Sequence, residues 1–122
     1  MKATKIFYWI LTGVVSLMML YSGYAYLNNP QVAQAFTHFG YPGYFRVELA
    51  IGKIIGVVLL LSPVPPRIKE WAYAGFGITF VSAFIAHTVS GDPLFFRLMP
   101  LLFLALLAGS YLTYHKLLAR AA

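Results

Sequence analysis

The sequence predicts an all-α integral membrane protein, a four-helix bundle with a short amphipathic helix between helices 1 and 2. Three observations carry this. Of 122 residues, 61% are hydrophobic and only 10% charged, against about 25% charged in soluble domains, and a chain this short cannot hide so much apolar surface from water. The apolar residues fall in four runs, each close to the roughly 20 residues needed to cross a hydrocarbon core. The Lys and Arg residues stand in ones and twos, mostly beside those runs, which is how loop charges orient a membrane protein.

Residues 6–27 form the first expected span, long enough to cross with some tilt. Lys2 and Lys5 before it resemble the start of a signal peptide. The apolar run is too long for that, so a retained span is expected. "NNP" ends it. Asn29 then has the chemistry of an N-cap and Pro30 that of a first helical residue. In "QVAQAFTHF", Val32, Phe36 and Phe39 recur at i, i+4, i+7 beside a polar stripe of Gln31, Gln34 and His38. This predicts an amphipathic helix over about 30–39, ended by Gly40, lying on the membrane surface or over the end of the bundle.

The second span is expected at about 46–62, before "PVPPR", which no helix continues through. The third covers 68–89 up to the turn "SGDP". The fourth covers 94–114, with Pro100 a candidate kink. No linker, repeat or low-complexity tract divides the chain, so 1–122 is read as a single transmembrane domain. Lys2, Lys5, Arg67, Lys69, Lys116 and Arg120 fall on one side of this arrangement, and Arg46 and Arg97 on the other with Glu48 and Asp92. The bias predicts a multi-pass protein with both termini cytoplasmic, and a bacterial inner membrane is the expected location.

Composition also excludes classes of function. The net charge of +6 is scattered rather than gathered into the patch that nucleic acid requires. No cysteine is present, so this chain's own residues supply no disulfide and no thiolate. His38, His87, Glu48 and Asp92 form no compact ligand motif, and no metal is expected. Neither a phosphate-binding glycine loop nor a nucleophile–base signature occurs.

The charges inside the spans remain. Glu48, Gly52 and Gly56 share one helix face at i, i+4, i+8. Gly75, Thr79, Ala83 and His87 form a matching stripe on the third span. Small residues at this spacing let helices approach closely in lipid, so Gly52, Gly56, Gly75 and Ala83 are expected to pack, bringing Glu48 towards His87. Lys53 lies roughly 10 Å deeper than Arg46 and about 140° around the helix from Glu48. It is expected to meet a carboxylate or carbonyl of another helix, or to line a wet cavity. Most of the 21 Phe, Tyr and Trp residues read as interfacial belts. Tyr8, Trp9, Trp71, Tyr73, Tyr111 and Tyr114 lie at the end with the termini, and Tyr21, Tyr24, Tyr26, Tyr41 and Tyr44 at the other. The alternative for the second group is an aromatic pocket for a flat lipid-borne ligand. Ligand-binding candidates are therefore Glu48, Lys53, His87, Arg46, Tyr24 and Tyr44.

"SGYAYL", "FTHFGYPGYFRVELAIGKIIGVVLLL" and "AFIAHTVSGDP", in this order, resemble the DoxX-like family. The resemblance implies a small four-helix membrane protein, with Gly23, Gly40, Pro42, Glu48 and His87 at matching positions. Family relatives are associated with quinone-linked and oxidative-stress oxidoreductase systems, and a similar animal branch with receptor assembly. The chain departs from the pattern at Tyr26, where relatives commonly carry lysine nearby, and at Lys53, which lies outside it. Three readings follow: a quinone- or lipid-binding subunit of a membrane oxidoreductase system, a non-catalytic scaffold or assembly factor, and a small proton-linked transporter. Lipid is the expected surrounding partner, with a membrane-protein partner or a homo-oligomer in addition.

Overall fold

The chain is a succession of five helices, described by a computed structural model over residues 2–121. They are α1 (Lys2–Asn28), α2 (Pro30–Phe39), α3 (Gly43–Leu61), α4 (Pro66–Val89) and α5 (Leu94–Ala121). Local chemistry sets their ends. The Asn29 side chain accepts from the Gln31 N–H at 2.9 Å, with Pro30 as the first helical residue of α2. Gly40 then closes α2 at φ 83°, a left-handed conformation that glycine adopts without penalty. Pro66 opens α4, because a first-turn position needs no amide donor. The 90–93 turn uses Gly91 at φ 71° and an amide bond from Asp92 back to the His87 carbonyl at 3.0 Å. α5 runs through Pro100 without interruption and continues well past 114, where the fourth span was expected to end.

α1, α4 and α5 are long and apolar enough to cross a membrane. Large apolar side chains such as Phe7, Leu17, Ile55, Ile78 and Phe95 stand exposed along the helices, an outer surface suited to hydrocarbon rather than water. α3 is shorter and carries Arg46, Glu48 and Lys53.

α1 and α4 each pack against both α3 and α5, and paired side chains run in opposite directions along neighbouring helices. Thus Thr12 meets Ser110, and Thr4 meets Arg120. One end of the molecule carries residues 2 and 121, and α2 lies at the other. The core gathers in the half nearer the termini, around Val15, Leu60, Phe76 and Leu107.

One close helix approach falls at an expected glycine, Gly56, where a Cβ would lie 2.5 Å from the Phe76 ring, and two fall elsewhere. A Cβ on Gly23 would lie 3.3 Å from the Ala50 carbonyl oxygen, and one on Gly109 2.8 Å from Leu11 Cδ1, so glycine brings α1 against α3 and α5. On the α3–α4 side only Gly56 is pressed, against the Phe76 ring. Gly52 and Gly75 are exposed, with no atom near enough to touch a Cβ. The packing expected of those two is corrected: they flank an open groove of about 230 Å³ that also carries Glu48. Ala83 is half-buried and faces a cavity.

Candidate functional site

Lys53 is the most deeply placed charge at the α2 end, only 6% exposed. Its ammonium donates to Ser22 Oγ at 2.7 Å and lies 3.9 Å from the centre of the Tyr26 ring. Ser22 and Tyr26 are four residues apart, so one face of α1 presents both to the lysine. The glycine between them, Gly23, draws the two helices together. Arg46 has a different task. α1 ends at Asn28, which leaves its last carbonyls without intrahelical donors. Arg46 donates to the carbonyl of Tyr26, capping that helix end with a positive charge.

On the far side of the same space, His87 Nδ1 meets Asp92 Oδ2 at 2.7 Å. The other oxygen of Asp92 faces His38 Nε2 at 3.5 Å. Arg97 donates through Nε to the Asp92 main-chain carbonyl at 2.7 Å, bracing the turn. Asp92 therefore joins α2, through His38, to the ends of α4 and α5. With Nδ1 committed to the carboxylate, His87 keeps Nε2 free of protein hydrogen bonds among the described residues.

Between these groups lies a cavity of about 480 Å³, lined by Lys53, Ser22, Tyr26 and His87 and otherwise mainly by apolar residues such as Met19, Phe80 and Phe103. A second space of about 260 Å³ adjoins it under α2, sharing Tyr26 and His87 and bounded by Phe36 and Phe39. α2 thus covers the end of both. A few polar groups converging on a mainly apolar space are the general form of a small-molecule site.

Not every expected residue is here. Glu48 is exposed, makes no ion pair among the described residues and does not meet His87, whose partner is Asp92 instead. The cause is rotational: the α3 face bearing Glu48 turns to the groove beside Gly52, and the face bearing Lys53 turns to α1. Tyr24 and Tyr44 point away from the protein, at 64% and 69% exposure. Among the described residues no group of three or more His, Asp or Glu side chains is arranged to hold a metal ion.

The family model of the DoxX-like family matches residues 10–110. The chain belongs to the DoxX-like family. No curated protein and no solved structure matches it. The matched stretch of this DoxX-like chain includes every side chain of the cavity described above. Tyr26 and Lys53 touch one another across the α1–α3 seam.

A second polar cluster of the DoxX-like chain escaped the reading of its sequence. Tyr8, Tyr73 and Tyr114 are buried rather than belted at an interface. Lys69 is buried with them, donating to Tyr8 Oη at 3.2 Å and lying 5.1 Å from the Tyr114 ring centre. Ser110 joins Thr12 at 2.6 Å and Tyr73 Oη at 2.8 Å, linking α1, α4 and α5. Nearby, Glu70 accepts from Tyr111 at 3.1 Å and meets His115. The available signal was spacing: Tyr8 and Thr12 lie one turn apart, as do Lys69 and Tyr73.

Proposed function

We propose that this protein is a four-span membrane bundle that binds a lipid-soluble, oxygen-bearing ligand, a quinone foremost, in the cavity beneath α2, as a subunit associated with a membrane oxidoreductase system. The observation that carries the reading is Lys53 and His87 on the walls of one mainly apolar cavity. α3 serves as the fourth span. Its 19 residues extend about 28 Å, close to a hydrocarbon core of about 30 Å, and Lys53 faces inwards. The basic bias towards the end with residues 2 and 121 favours a cytoplasmic position for that end, in a bacterial inner membrane.

Lys53 has three N–H donors and gives one to Ser22. The others serve an oxygen acceptor in the cavity. Asp92 fixes the imidazole of His87, so that its Nε2 exchanges a proton with a second oxygen. Phe80 and Phe103, stacked with ring centres 6.0 Å apart, offer an aromatic wall to a flat ring. Electrons come from a redox partner or a bound cofactor, because the chain has no cysteine and no clear metal or flavin motif.

Equilibrium binding of a short-chain quinone to detergent-purified protein tests this. Saturable binding is expected, weakened about tenfold or more when Lys53→Met removes a charge-assisted bond, weakened also by His87→Ala, and unchanged by Tyr44→Ala. Binding that ignores both cavity substitutions overturns the assignment. A non-catalytic scaffold is the second reading, favoured by the open α3–α4 groove with exposed Gly52 and Gly75 and with Glu48, which has no ion pair among the described residues, a surface to which a partner's helix would fit.

A further inference from the structure

The chain has three acidic residues, and none of them serves Lys53. Asp92 stands between His38 and His87. Glu70 is taken by Tyr111 and His115. Glu48 is exposed in the groove and forms no ion pair with any described residue. The Lys53 ammonium has only a neutral hydroxyl and one tyrosine face, although it is buried among apolar side chains. A buried ammonium without a counter-charge is strongly disfavoured, and removal of such a partner is among the most damaging changes a protein undergoes.

Lys69 shows what a self-sufficient arrangement looks like. It too lacks a carboxylate, but it sits by the rings of both Tyr8 and Tyr114 and lines none of the cavities described above. Lys53 has one ring and an adjoining space of about 480 Å³. Lys53 lines two spaces, the α3–α4 groove of about 230 Å³ and this cavity of about 480 Å³, and the cavity is the larger and the one that Ser22 and Tyr26 also line.

We infer that the cavity takes a lipid-soluble anion, an apolar molecule ending in one negatively charged oxygen group, a carboxylate or a phenolate, which Lys53 neutralises. This deepens the ligand-binding reading above and rests on it. Ser22 and Tyr26 hold the ammonium in place, Met19, Phe80 and Phe103 receive the apolar body, and the charge of Lys53 becomes the selector between ionised and neutral ligands.

The test is equilibrium binding to the full chain in mild detergent at neutral pH, where a carboxylic acid is ionised. The probes are laurate, its methyl ester, an ionisable alkylphenol whose pKa lies below the working pH, and a neutral short-chain quinone. The ionised probes are expected to bind about tenfold or more tighter than the ester, the scale of one charge-assisted bond. Laurate against alkylphenol separates the two head groups. Lys53→Met is expected to abolish the preference, and Lys53→Arg to retain it. The acid–ester comparison on the unaltered protein decides the matter even if Lys53→Met does not fold. Equal binding of acid and ester, or quinone bound with neither ionised probe, overturns the anion inference while the cavity reading stands. No saturable binding of any probe overturns both.

Discussion

Ser110→Ala is the sharpest test of how the helices are held. Ser110 is fully buried, and its hydroxyl meets both Thr12 of α1 at 2.6 Å and Tyr73 of α4 at 2.8 Å. One oxygen therefore ties three helices. Side-chain hydrogen bonds between membrane helices average about 0.6 kcal/mol and reach about 1.7. Losing both bonds should cost about 1–3 kcal/mol, the upper part applying if Thr12 and Tyr73 find no other partner. Ser16 is the internal control. It is equally buried, but its Oγ has no hydrogen-bond partner, so Ser16→Ala removes an unsatisfied group and should be neutral or stabilising. Reversible unfolding in mixed micelles would measure both, and a double-mutant cycle with Thr12→Val would isolate the α1–α5 bond. If Ser110→Ala is as mild as Ser16→Ala, or the cycle shows no coupling, the hydroxyl junction does not hold these helices together.

Other outcomes follow from the same packing. Gly91→Ala forces a side chain onto a backbone at φ 71° and should cost about 1–2 kcal/mol, read as a lowered unfolding midpoint in the same micelles. Asn29→Ala removes the cap that accepts from Gln31 and should cost about 1 kcal/mol. Hydrogen exchange should quicken in α2 while α4 keeps its protection. Gly52→Leu with Gly75→Leu adds bulk at two exposed positions of the groove where nothing lies within 4 Å of a Cβ, so the isolated chain should keep its stability. Loss of a co-purifying partner in that double variant would support the scaffold reading, and an unchanged set of partners would count against it.

Much of the chain's local architecture was legible in advance. The ends of α2 followed from Asn29, Pro30 and Gly40, and the last turn before α5 from "SGDP", because caps and turns are decided by groups a few residues apart. Lys53 stood out as a charge in an apolar helix, but its partners did not, since Ser22 and Tyr26 are 31 and 27 positions away. The anticipated meeting of Glu48 and His87 failed on a rotation of α3 about its own axis. Asp92, read as part of the "SGDP" turn, also meets His38 and His87.

What the sequence determined by itself was the medium, the membership of the DoxX-like family over residues 10–110 and the punctuation between helices. What only the tertiary structure decided was which face of each long helix looks inward. The physical reason is that lipid and protein core are both apolar: Leu17 on the outside and Val15 on the inside meet the same kind of surroundings, so the apolar period that orients a water-facing helix loses its signal. α2 has one polar flank and could be oriented from its residues. The long helices could be oriented only by the fit of Gly23 against Ala50, of Gly109 against Leu11, and of Lys53 into the space beside Tyr26.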